Sequence, residues 1–313
     1  MLENQLSRYG AIAKALPLMS PGAKVFFLAP ASAAWYGNFQ HEFPADKDGF
    51  ARVHTTFASV IANAGLTASR GDVVVALPGF SETLTNVQSL SVAGVQWIGI
   101  GEGTLKPTVV VNAATHGIAL SAANQGFKGF RFNAPSTDAA LSMIYVAAVG
   151  CRVEDIVGIG SDESNNFVHC IAIKAGANDH TLKNIDISCG FTPVTAFLNF
   201  EGAVSRSTIG GFRAIGSVAT GGIIDAAGAI IENALWDNVI VAVRGTTKPA
   251  VNLDATGGGG GIGVITNCRF AGTHATLASN AVFTGDYRLS QVYVSEETNN
   301  GAQGALIPAA DTD

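Results

Sequence analysis

Val153-Glu154-Asp155-Ile156-Val157-Gly158, followed 29 residues later by Leu182-Lys183-Asn184-Ile185-Asp186-Ile187, is the passage on which the fold turns. Both runs read apolar, any, Asp or Asn, apolar, any, apolar or Gly. Similar runs occur at Val95–Ile100, Phe127–Phe132 and Ile265–Phe270, with weaker copies beginning at Ser205 and Ile231. Spacings of this size are those of a repeat architecture, and each unit is too short for a strand, a crossover helix and a second strand. A coil of two or three short strands joined by Gly- and Asn-rich turns fits. Coils of this kind bury their apolar positions only by stacking, at about 4.8 Å per parallel strand. The second position of successive copies reads Gln96, Lys128, Glu154, Lys183, Arg206, Glu232, Thr266. Lys128, Glu154 and Lys183 alternate in sign, as neighbouring strands favour, whereas Lys183 beside Arg206 breaks the rule.

Composition agrees with a β-rich stack. Of 313 residues, 37 are Gly and only 13 % are charged, while 48 % are hydrophobic. Long helices would need more Leu, Glu and Lys. The expected fold is therefore all-β: a single-stranded, right-handed parallel β-helix. Residues 1–50 read differently. Pro17, Pro21, Pro30 and Pro44 punctuate them, and Trp35, Tyr36 and Phe39 lie between the last two. They predict an extended N-terminal arm, with those three aromatics as candidate contacts to a capsid or a neighbouring subunit. The alternative is that the aromatics cover the end of the β-helix in their own chain. A helix is expected from 55 to 64, capped by Thr55 or Thr56, with Phe57, Val60, Ile61 and Ala64 on one face and Gly65 at its end. It stands just before the first strand, Val73–Leu77, where it would cover the open end of the stack. The β-helix with its cap is expected over 51–285 and a C-terminal tail over 286–313.

Chemistry is sparse. The chain has no HExxH, GxSxG, CxxC or GK[ST]. Gly258–Gly263 matches GxGxxG in letters, but Val264-Ile265-Thr266 continues as strand, so the dinucleotide reading fails its context. The six histidines are scattered, and Cys151, Cys170, Cys189 and Cys268 read as reduced core residues of a protein made in the cytosol. No cofactor or metal is expected, and no catalytic residue. The acidic candidates for a glycosidase-like pair are Glu154, Asp155, Asp162, Glu163 and Asp186. Glu154 is better accounted for by cross-strand pairing, Asp155 by a turn, and Asp162-Glu163 by a solvated loop. A net charge of -6 disfavours nucleic acid and anionic membranes as partners. The start, Met1-Leu2-Glu3-Asn4, lacks the pattern of a secretory signal, and no stretch is apolar enough to span a bilayer, which leads to the expectation of a soluble protein.

One segment carries a resemblance. Gly71-Asp72-Val73-Val74-Val75-Ala76-Leu77-Pro78-Gly79-Phe80-Ser81-Glu82-Thr83-Leu84, then Val92-Ala93-Gly94-Val95-Gln96-Trp97-Ile98-Gly99-Ile100-Gly101-Glu102-Gly103 and Lys106-Pro107-Thr108, resembles the opening coils of pectate-lyase-like right-handed β-helices. More narrowly it is similar to a group of tailed-bacteriophage virion proteins. The resemblance is specific over residues 50–110 and says little about 1–45 or the tail. It implies a homotrimeric structural protein of the virion. The polygalacturonase-type Asp-Asp and Gly-His-Gly segments and the pectate-lyase WxDH are not present, so neither activity carries over. The leading expectation is a head decoration (cement) protein on the capsid surface, bound to the major capsid protein or other virion proteins. The alternatives are a tailspike or tail-fibre-like protein that binds or cleaves a host surface glycan, and, least of all, a bacterial polysaccharide lyase.

Overall fold

The computed structural model describes residues 22–62, 65–134, 140–160, 167–190, 192–226, 229–245, 247–253, 261–274, 276–296 and 303–305. It is a right-handed parallel β-helix of about nine turns, with very little helix. One position repeats through the whole stack. Val74 pairs with Trp97, then Phe127, Val153, Leu182, Ile209, Trp236, Ile265 and Leu289, each in parallel register with the next. All but Leu289 are essentially fully buried. Phe130, Ile156 and Ile185 also point inward and share one continuous core with that column.

Each coil has three strand faces. The first includes Gln96–Gly99, Ala234–Asp237 and Gly261–Thr266; the second includes Arg131–Asn133, Ile240–Arg244 and Arg269–Gly272. In mid-stack the two are continuous, as in Arg152–Ile159 and Thr181–Ser188. The third face is a separate sheet of eight strands running from Gln88–Leu90 to Ala281–Phe283.

In most coils of the described residues two corners are made by single residues with positive φ. Ser69, Gly94, Asn124, Gly150, Asp179, Arg206 and Asn233 precede the first face; Gly129, Asp155, Asn184, Gly211, Asn238, Asn267 and Gln291 separate it from the second. A left-handed residue reverses the side-chain alternation within one position, which bends the strand without a loop. Asn and Asp tolerate this conformation better than other side chains, and Gly best of all. At the second corner Asn184 Nδ2 donates to Asp155 Oδ1 at 3.1 Å, so the polar side chains stack as well.

These corners correct the register of several copies. The equivalents of Val153 are Ile209 and Trp236, not Ser205 and Ile231, and Trp97 rather than Val95. Arg206 and Asn233 do have positive φ, but they belong to the first corner; the six-residue pattern alone does not tell the two corners apart. At Val95 the misreading follows from an insertion, a loop with a 3-10 turn at Gly103–Leu105 that parts the two faces of that coil. The true second-position column runs Ile98, Lys128, Glu154, Lys183, Gly210, Asp237, Thr266. Glycine, not Arg206, therefore lies beside Lys183, and the like-charge conflict is gone. Arg206 is ion-paired with Asp179 at the corner.

The N-terminal end is closed from within the chain. Within the span expected as an arm, Val25–Leu28 pairs in parallel with Val73–Ala76 and so extends the sheet by one strand, itself paired with Val53–His54. Residues 1–21 lie outside the described residues. The capping helix is shorter than expected, Phe57–Ile61, with the Thr56 side chain accepting from Ser59 N–H at 3.1 Å; Ala64 lies outside the described residues. Phe57 is wholly buried and touches the rings of Phe80, Trp97, Phe127 and Phe130. At the other end the stack continues past residue 285, through Gly285–Ser290 and Tyr293–Glu296.

The corner rule has a measurable consequence. Asn238 is exposed, and no side-chain hydrogen bond to it is seen among the described residues. Asn238→Gly should leave stability within about 0.5 kcal/mol, and Asn238→Val should lower it by about 1–2 kcal/mol, read from urea unfolding midpoints.

Candidate functional site

The aromatic residues proposed as contacts sit at the capped end. Tyr36–Glu42 forms a short helix, and Trp35 stands at its start. Phe39 is buried, with its ring 5.1 Å from Phe27 and 4.7 Å from Phe43. Trp35 and Tyr36 are half-buried against the same cluster, which covers the outward side chains Val73, Val75 and Ile98 of the first face. All three aromatics thus pack on their own chain, and only the outer edges of Trp35 and Tyr36 remain for any partner. The segment is braced electrostatically, since Lys24 bridges Asp46 and Asp48. The first of these pairs helps hold the Asp46 carboxyl below its usual range.

Two acidic residues of the Gly71–Leu84 segment fasten this cap to the first coils. Asp72 is fully buried; it accepts from the backbone N–H of Lys24 and Thr67, each at 2.9 Å, and from the Arg70 guanidinium at 2.6 Å. Glu82 accepts from Phe57 N–H at 2.8 Å, at the first turn of the capping helix. Burial pushes its carboxyl up to about 6, partly opposed by that hydrogen bond.

Of the carboxylates considered for catalysis, Glu154, Asp155 and Asp186 lie on the outer side of the coils and are ion-paired. Lys128 reaches Asp155 at 3.1 Å and Glu154 at 3.7 Å, and Arg213 reaches Asp186 at 2.9 Å. Asp162 and Glu163 lie outside the described residues. In the GxGxxG-like run, Gly261 and Gly263 are strand residues; an added Cβ would strike the Tyr287 hydroxyl at 1.9 Å and the Ala234 carbonyl at 2.5 Å. Close packing of coils explains them. The four cysteines are buried free thiols, with Cys170 and Cys189 sulfurs 3.7 Å apart. Among the described residues no three His, Cys, Asp or Glu side chains converge as a metal site, and no helix is long and apolar enough to cross a membrane.

The third face carries a polar strip that the sequence did not disclose. Register places His116, Ser142 and His169 at paired positions on successive strands. Ser142 lies 2.9 Å from His116 Nδ1, and His116 stacks on Tyr145 at 4.0 Å with its plane inclined by 2°. Tyr145 donates to Glu201 at 2.9 Å, and Asn199 Nδ2 lies 3.2 Å from His169 Nε2. Desolvation drives the His169 imidazole down to about 4, with the nearby His116 adding to the effect. Desolvation also holds His116 below its usual value. Ser142 is completely buried, so its hydroxyl meets no substrate. Fifty-three residues separate the two histidines in sequence; only the coil length brings them together. The arrangement is three separate hydrogen bonds, His116 to Ser142, Tyr145 to Glu201 and Asn199 to His169, beside a stacked ring pair.

No protein-family profile and no curated protein matches this chain.

The strip predicts an acid-sensitive contribution. A folded-state His169 value near 4 lies below the unfolded value of about 6.5, so its share of stability is present above pH 6.5 and is lost as pH falls toward 4. His169→Gln should flatten that limb of the stability–pH curve, and the His169 imidazole signal of the wild type should titrate near 4 by NMR. Glu82 has the opposite sign: its raised value adds stability below about pH 4.5 that is lost as pH rises through 6. Glu82→Gln should remove this gain on acidification, measured by thermal melts between pH 4 and 7.

Proposed function

We propose that the protein is a structural component of a tailed-bacteriophage virion: a homotrimeric decoration protein that sits on the capsid surface and reinforces it. The observation that carries this reading is the use made of the segment resembling virion proteins. Two of its acidic residues, Asp72 and Glu82, are committed to fastening the N-terminal closure onto the first coils. A β-helix closed in this way is a stiff rod with a defined end, suited to bearing load. The ion-paired state of Glu154, Asp155 and Asp186 supports a non-enzymatic role, since a glycosidase acid and base must face one open groove. In this reading the outer edges of Trp35 and Tyr36 contact the major capsid protein, as exposed aromatic edges serve well as anchors.

The second reading is a tailspike or tail-fibre-like protein that binds a host surface glycan. The stacked His116–Tyr145 pair favours it, because a flat ring surface is what a sugar face packs against.

Capsids bearing the protein should survive heating or chelator treatment that opens capsids lacking it, with DNA release as the readout. Equal survival of both would remove the reinforcing role. Cryo-EM density on the shell supports decoration, and density at the tail tip supports the spike.

A further inference from the structure

The outward side of the first face is treated differently at its two ends. Near the N-terminus its apolar residues Val73, Val75 and Ile98 are buried under the chain's own aromatic segment. Near the C-terminus Leu235, Ile262 and Val264 are 52 %, 47 % and 39 % exposed, with Leu235 and Val264 paired on adjacent strands. Across the Asn238–Asn267 corner, on the same coils, the second face forms a shallow groove of about 380 Å³. Its floor is Ile240, Ala242 and Ala271, and its wall is Tyr293, which is 53 % exposed. A contiguous apolar stripe beside an apolar groove is the signature of a contact surface, unlike singly scattered residues.

We propose that the Leu235–Ile262–Val264 stripe of one copy of this chain docks into the Ile240–Ala271–Tyr293 groove of the next. Three features select a second copy as the occupant. Stripe and groove lie on the same coils, so two β-helices side by side and pointing the same way bring them to one height. The borders differ in net charge: Asp237, Asp286 and Arg288 flank the stripe, leaving it net acidic, and Arg269 borders the groove, while neither Asp286 nor Arg269 is ion-paired with any described residue. The two surfaces differ, so the contact is head-to-tail in the rotational sense, and such a contact closes into a ring where its rotation divides the full circle, rather than stopping at a pair. The inference rests on the trimeric reading and supplies the surface that reading lacks.

Size-exclusion chromatography with light scattering tests it. The wild type should run as a closed oligomer, whereas Leu235→Asp and Val264→Asp should be monomers with unchanged circular dichroism. Leu105→Asp, at an equally exposed leucine elsewhere, should remain oligomeric. Mixing Ile262→Cys with Tyr293→Cys chains and adding a short bismaleimide should give a crosslink that neither variant gives alone. A wild type that is monomeric at every concentration would overturn both the trimeric reading and this contact. An oligomer that survives Leu235→Asp and Val264→Asp, or an Ile262→Cys chain that crosslinks to itself, would overturn the contact alone.

Discussion

The structure depends on a backbone constraint repeated along most of the stack: one residue at each of two corners must hold a left-handed conformation. That choice costs an ordinary side chain about 1–2 kcal/mol, so the corners are filled mostly by Gly, Asn and Asp. Once the corners stack, every apolar residue placed a fixed distance from them must face inward. The core column from Val74 to Leu289 is therefore a consequence of corner placement as much as of hydrophobicity. Glycines where coils approach most closely follow the same logic. A Cβ on Gly129 would meet the Gly99 carbonyl oxygen at 2.2 Å, and one on Gly99 would meet that of Gly129 at 2.4 Å.

Much of this was legible in the sequence. Val153–Gly158 and Leu182–Ile187 disclose strand, corner and inward positions correctly because the Asp or Asn at the third place is also the corner residue. Gln291 occupies the same corner with a residue that carries no such signal, so the copy around it has no readable pattern. Arg206 hid the first corner, since arginine is not a residue one expects at positive φ. The polar strip was illegible for a different reason. His116, Ser142 and His169 become neighbours only through coil lengths of 26 and 27 residues, which the six-residue pattern does not fix.

The two ends of the rod embody different solutions to one problem. An outward apolar row on a sheet has to be covered or left for another molecule. The N-terminal segment covers its row with Phe27, Phe39 and Phe43, held in place by charges on Lys24, Asp46 and Asp48. The same chain leaves Leu235, Ile262 and Val264 open. What began as a compositional anomaly, aromatics amid prolines, is a folded lid, and the conspicuous surface is one with no anomaly of composition at all.

Coils that touch only their immediate neighbours also shape how such a protein can change over evolutionary time. A duplication of one complete interval, corner to corresponding corner, inserts a unit whose upper and lower contacts already match. The rod then lengthens without disturbing the aromatic plug at one end or the open stripe at the other. An insertion of any other length, unless it is looped out as at Gly101–Pro107, shifts the corners out of line and is felt by every coil beyond it. Length is thus inherited in steps.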